Sequence, residues 1–404
     1  MAVGLTPPES LLPVPGIRLG TTAAGIRKPG RRDLVVIELA PGSHTAGLFT
    51  RNAFCAAPVV VARHHLLEAA PRFLVINTGN ANAGTGQRGL DAAADTCRAL
   101  AAQVGLRPDE VLPFSTGVIG EPLPLDRLLA GLPGALAELD EDGWLAAAAG
   151  IMTTDTVPKG ISRRLELNGR EVTLTGIAKG AGMIRPDMAT MLAFIGTDAG
   201  IEAPDLHGLL VQAAERSFNR ITIDGDTSTN DALMLMASGA SGVQVERGTP
   251  EWDAFAGALT EVCQFLAQAI VRDGEGATKF VRVQVSGGAS SAECLQVGYT
   301  VAHSPLVKTA LFASDPNWGR ILAAVGRAGL EALVLERVSI HLDDVCIVRD
   351  GGRAEDYTEA AGQQVLAREE LAIRIDLGRG EASENVWTTD LSYDYVRINA
   401  EYRT

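Results

Sequence analysis

The sequence predicts a mixed α/β (α+β) protein built of stacked sheets and helices. Three observations carry that prediction. At 404 residues the chain exceeds one ordinary core, so two domains, or one large body with an appendage, are expected. Apolar β-rich runs alternate irregularly with helical stretches, which favours layers over a strict βαβ winding. Hydrophobic content of 46% with 21% charged residues is that of a globular chain, and no internal repeat or low-complexity tract breaks it.

The elements follow in order. Residues 1–16 are Pro-rich and read as an extended arm. "DLVVIEL" (33–39) and "FLVIN" (73–77) are short apolar runs and read as buried strands. "LDAAADTCRALAAQVG" (90–105) has helical periodicity and a terminal Gly as a C-cap signal. Residues 125–152 read as two short helices broken at Pro133-Gly134. "LELNGREVTLTGIAKG" (165–180) reads as a hairpin turning at Asn168-Gly169. "MLAFIG" (191–196) reads as a buried strand, and "DGDTSTND" (224–231) as a turn leading into the strand "ALMLMA". Residues 204–219 and 251–274 read as amphipathic helices, and residues 280–287 and 371–378 alternate as half-exposed strands do.

Composition excludes several classes. Lys+Arg 35 against Asp+Glu 49 gives a net charge of −14, which repels nucleic acid and anionic membrane. No apolar run approaches the roughly 18 residues of a membrane helix, and the N-terminus lacks the form of a secretion signal. Five scattered cysteines with no CxxC point to a reducing compartment, so a cytoplasmic enzyme is expected. The six histidines show no metal-binding spacing, so no metal site is expected.

Two motifs fail on inspection. "GTGQRG" (84–89) matches GxGxxG, but the strand ends at Asn77, too early for a dinucleotide fingerprint. "DGDTSTND" starts like a calcium loop, but its sixth and twelfth positions hold Thr229 and Leu235. Thr190 is different. It stands where the loop "GMIRPDMAT" meets the strand "MLAFIG". A threonine hydroxyl is inert at neutral pH unless a base takes its proton. Cutting the Ala189-Thr190 bond would supply that base, because the new α-amine has a reference pKa of about 7.7–8.0. On this stretch alone, an ordinary strand-start threonine remains the competing reading.

The wider context resembles one family. "GIAKGAGMIRPDMATML" (176–192) is similar to the processing-site signature of the ornithine acetyltransferases, the ArgJ-type glutamate N-acetyltransferases of arginine biosynthesis. "GLFTRNAFCAAPV" (47–59), "NTGNANAGTG" (77–86), "STGVIG" (115–120), "MTTDT" (152–156), "FNRITIDGDTSTND" (218–231), "RDGEGATKF" (272–280), "FASDPNWGR" (312–320) and "INAEYRT" (398–404) follow in the family's order.

The resemblance implies an αββα sandwich over residues 17–280 and a smaller C-terminal α+β portion over 281–404. It implies self-cleavage into an α chain, 1–189, and a β chain, 190–404, assembling as a heterotetramer of two α and two β chains. Thr190 would be the nucleophile, and Thr116 and Gly117 the oxyanion hole. Thr153, Lys179, Thr190, Glu275, Asn399 and Thr404 would bind substrate. Lys179 can pair with a carboxylate and Glu275 with an ammonium. The acetyl group of N-acetylornithine would pass to Thr190 and then to glutamate, acetyl-CoA would be the alternative donor in bifunctional members, and neither step would need a metal or a bound cofactor. Ala181 and Asp187 depart from the family's usual "KGSGMI" and "PNMATML". The alternatives are an N-terminal-nucleophile aminopeptidase or amidase on the same scaffold, and a nucleotide-binding module built on "GTGQRG".

Overall fold

The computed structural model describes residues 2–27, 29–185 and 191–401. The chain divides into two compact units. The larger comprises Pro7–Asn219 and Thr227–Ile270, the smaller Met1–Thr6, Arg220–Asp226 and Val271–Thr404.

The larger unit runs β1 (Ile17–Thr22), β2 (Leu34–Leu39), β3 (His44–Phe49), α1 (Ala57–Glu68), β4 (Phe73–Asn80), α2 (Gly86–Val104), β5 (Val111–Val118), α3 (Leu125–Ala137), α4 (Trp144–Gly150), β6 (Lys159–Leu167), β7 (Arg170–Lys179), β8 (Leu192–Thr197), α5 (Ala203–Glu215), β9 (Ala232–Ala237) and α6 (Pro250–Arg272). Two sheets form, ordered β1-β2-β4-β5 and β3-β9-β8-β7-β6. The β4/β5 and β8/β9 pairs are parallel and the rest antiparallel.

The uninterrupted apolar run of β2 has a direct cause: both of its faces are covered. Val35, Ile37 and Leu39 enter the core between the sheets. Leu34 and Val36 face the opposite way, into the layer containing Leu100 of α2 and Leu128 and Leu132 of α3. Phe194 of the second sheet meets Phe114 of the first edge-on, with centroids 5.3 Å apart. On the second sheet's far side α5 packs on β3 and β9. There α6 crosses β7 at Gly176, where an added Cβ would come within 3.0–3.1 Å of Leu266 and Val262. The layers therefore stack as αββα.

One expectation needs correction. The break in residues 125–152 is not at Pro133-Gly134, since α3 runs through Pro133 and ends at Ala137. Leu128, Leu132 and Ala135 lie on one buried stripe, and burying that stripe outweighs the bond a proline removes. Helix α6 matches the amphipathic helix read for residues 251–274, although by length and composition alone it could also cross a membrane. It is a core helix: Phe255, Leu259, Val262, Cys263, Leu266 and Ile270 are buried. The hairpin lies as expected, with β6 and β7 joined at Asn168 (φ 52°) and Gly169 (φ 69°).

The smaller unit runs β10 (Phe280–Gly288), α7 (Ser291–Ala302), α8 (Pro305–Phe312), α9 (Trp318–Gly326), β11 (Ser339–Leu342), β12 (Val345–Arg349), β13 (Gly352–Arg353), α10 (Glu359–Leu366), β14 (Glu370–Asp376), β15 (Ala382–Thr389) and α11 (Tyr393–Ala400). One sheet orders them β13-β12-β11-β14-β10-β15, and only the β10/β14 pair is parallel. Val281, Val283 and Val285 enter the core while Arg282 faces solvent, which is the alternation read in the sequence.

Candidate active site

In the larger unit the site grows from the ends of the parallel pair β4/β5. The pairing is regular until Gly79 faces Gly117, then bulges: Asn80 opposes both Thr116 and Val118. Both glycines hold positive φ, 133° and 139°. A Cβ on Gly117 would sit 2.3 Å from the Gly79 carbonyl carbon and 2.5 Å from the Asn80 nitrogen. No larger residue fits there, and the bulge sets the direction in which Thr116 is presented. Asn230 fixes the same strand end by donating from Nδ2 to the carbonyls of Ala81 (2.6 Å) and Ser115 (2.9 Å).

Lys179 ends β7 in the facing sheet. Its Nζ donates to Thr116 Oγ1 at 3.1 Å, joining the two sheets through a cation and a hydroxyl. A hydroxyl that accepts from an ammonium turns its own proton toward a different acceptor. Behind Lys179 lies Asp155, fully buried and ion-paired to the buried Lys159 at 2.6 Å. Asp155 also accepts from the Gly180 N–H at 2.8 Å and from the Thr153 N–H at 2.9 Å. Burial works to raise its pKa, but the charges of Lys159 and Lys179 and these hydrogen bonds win, holding the carboxyl well below the usual range. Asp231 is the opposite case. Burial pushes its pKa well above its ordinary value, against a Ser228 hydrogen bond and the Lys179 charge. Among the described residues its Oδ2 has no hydrogen-bond partner.

In the smaller unit Asn399 Nδ2 donates to Glu275 Oε2 at 2.8 Å. The loop carrying Glu275 is locked at Gly276 (φ 68°), where a Cβ would fall 2.5 Å from the Tyr395 nitrogen. Asp390 closes the other side by accepting from the Thr278 N–H (2.8 Å) and hydroxyl (2.6 Å) and the Lys279 N–H (2.9 Å). Lys308 is buried and donates to Thr388 Oγ1 and the Thr389 carbonyl. Burial pulls its pKa down to about 8, although Asp390 and Asp224 oppose the shift.

Of the residues expected at the site, Thr116, Gly117 and Lys179 come together, and Thr153 joins them through Asp155. Glu275 and Asn399 form a pair of their own. Ala189, Thr190 and Thr404, with Asp187, lie outside the described residues. Sequence reading missed Asp155, Lys159 and Asp231 as site residues. The signal was present as charged residues inside the quoted segment "MTTDT", its neighbour "VPKG" and "DGDTSTND".

The larger unit is thus an αββα body whose two facing sheets are joined by an ammonium–hydroxyl hydrogen bond. The chain belongs to the ArgJ family, which it matches over residues 18–404. It is 58% identical over 407 residues to the arginine biosynthesis bifunctional protein ArgJ of Pseudomonas fluorescens (strain Pf0-1), covering 100% of both chains. It is 61% identical over 395 residues to the protein of that name from Methylococcus capsulatus, covering 98% of this chain and 97% of the other. Among solved structures, the ArgJ of Bacillus halodurans is 39% identical with a TM-score of 0.49, covering 51% of this chain and 97% of that one. As a member of the family, the protein is an acetyltransferase of arginine biosynthesis.

Proposed function

We propose that the chain cuts itself between Ala189 and Thr190 and then uses Thr190 as the acetyl carrier. The carrying observation is the hydrogen bond from Lys179 to Thr116 across the two sheets. With its lone pair engaged, the Thr116 hydroxyl has its proton free for an oxyanion, and the Gly117 N–H is the second donor. Such a donor is typically worth about 10²–10³ in rate. The Met191 carbonyl accepts from the Ala232 N–H at 2.9 Å, so the chain just after the cut is anchored in the sheet.

Thr190 attacks the acetyl carbonyl of N-acetylornithine. Its α-amine takes the hydroxyl proton and passes it to the departing ornithine amine, leaving an acetyl-threonine ester. The α-amine of glutamate then attacks the ester, giving N-acetylglutamate and restoring the hydroxyl. The positive charge of Lys179 keeps the Thr190 amine basic form populated and pairs with a substrate carboxylate. Glu275 and Asn399 take a substrate ammonium, and Thr153 and Thr404 complete the binding set. Acetyl-CoA serves as a second donor, and neither step uses a metal or a bound cofactor. The enzyme works in the cytoplasm as two α and two β chains.

Denaturing electrophoresis with N-terminal sequencing tests the reading. A fragment starting at Thr190, absent in Thr190→Ala, is expected together with acetyl transfer from N-acetylornithine to glutamate. A single intact chain with full activity overturns it. Hydrolysis of N-acetylornithine without transfer would instead make the protein an amidase.

A further inference from the structure

Helix α11 carries Asn399, yet none of its residues is fully buried, and Tyr393 and Val396 are 84% and 63% exposed. Eight residues are too few for a helix to hold its own position in water. Polar links hold it, together with the edge-on packing of Tyr393 on Phe312. Ser392, its N-cap, donates to the Gly276 carbonyl at 2.6 Å. One turn before Asn399, the Tyr395 hydroxyl donates to Asp224 Oδ2 at 3.2 Å. Asn399 Nδ2 has two protons and uses both: one on the Tyr395 carbonyl at 3.0 Å, one on Glu275 at 2.8 Å. The direction of that second bond thus follows from where residue 395 is held.

We propose that Tyr395 is a positioning residue for ammonium recognition, its bond to Asp224 holding α11 so that Asn399 keeps Glu275 oriented toward a primary ammonium of the substrate. The proposal rests on the reading of Glu275 and Asn399 as ammonium-binding residues. Tyr395 touches no substrate and acts only through Asn399. Burial, with Asp224, Glu275 and Asp226, raises its pKa, so the hydroxyl stays a donor throughout the working pH range.

The test uses the processed full-length enzyme and two acetyl donors, N-acetylornithine and N-acetylnorvaline, which lacks only the terminal ammonium. In Tyr395→Phe the KM for N-acetylornithine rises about tenfold while kcat changes little, and the kcat/KM preference over N-acetylnorvaline falls by a similar factor. Asp224→Asn, which keeps the tyrosine hydroxyl, shifts the preference in the same direction. The double variant is no worse than the worse single one, because both break one bond. A general loss of structure would lower kcat/KM for both donors alike and leave the preference intact, which overturns the proposal. If Glu275→Gln lowers the preference but Tyr395→Phe and Asp224→Asn do not, the proposal falls and the Glu275 reading stands. If Glu275→Gln leaves the preference unchanged, the reading itself falls and the proposal with it.

Discussion

Asp155 and Asp231 are two buried carboxyls of one unit whose pKa values are shifted in opposite directions, and their partners make the difference. Asp155 has Lys159 at 2.6 Å and two backbone donors, while Asp231 keeps an oxygen with no partner among the described residues. Asp155→Asn strands the Lys159 charge in the core and should cost about 3–5 kcal/mol, read by chemical denaturation. Because its folded pKa is depressed, the stabilisation by Asp155 is complete above about pH 4 and is lost as pH falls below that. Asp231 has the opposite sign. Folding retains a proton that the unfolded chain releases above about pH 4, so Asp231 costs stability as pH rises. Asp231→Asn should therefore melt a few degrees higher than the parent at pH 8 and lose that advantage near pH 4. Equal destabilisation at both pH values would contradict a raised pKa for Asp231. Gly117→Ala should lower acetyl transfer by at least about 10²-fold, since the new Cβ collides with the Gly79 backbone and displaces the Thr116 bulge. None of this was legible from spacing. Thr116, Gly117 and Lys179 came from family resemblance, and Asp155 and Lys159 escaped notice because an isolated charge in the sequence reads as solvated until the fold covers it.

At the scale of elements the sequence was most readable where one local signal dominates. Asn168-Gly169 fixed a hairpin because its two positive-φ positions suit few other residue pairs. Gly105 ended α2 in the left-handed conformation expected of a C-cap. Reading failed where a local signal competes with packing. Pro133 signals a helix end, yet α3 continues because Leu132 and Ala135 bury on the sheet while Pro133 faces solvent. The cost of that compromise is measurable. Pro133→Ala restores a backbone donor without touching the core and should stabilise the protein by about 1–3 kcal/mol, read as a higher denaturant midpoint at constant m-value. No gain would mean that the helix has already relaxed around the missing bond.

At the scale of the whole molecule, the net charge of −14 and the chemistry of the substrates pull in different directions. Glutamate carries a net charge of about −1 at neutral pH, whereas N-acetylornithine pairs one carboxylate with one ammonium and is close to neutral. The protein's overall field therefore opposes the arrival of glutamate and is nearly indifferent to N-acetylornithine. Lys179 reverses the sign only locally, once an anion is within a few ångströms, because Asp155 already occupies Lys159. At about 0.01 M salt the Debye length is about 30 Å and the long-range repulsion acts fully, while at about 0.15 M it shrinks to about 8 Å. Raising ionic strength across that range should increase kcat/KM for glutamate by a factor on the order of 2–5. The same change should leave kcat/KM for N-acetylornithine nearly constant. Lys179→Met separates the two effects: it should raise the KM for glutamate at every salt concentration yet preserve the upward salt trend, since that trend belongs to the whole surface. A downward trend in the parent enzyme would mean that the local cation, and not the net charge, governs the approach of the anion.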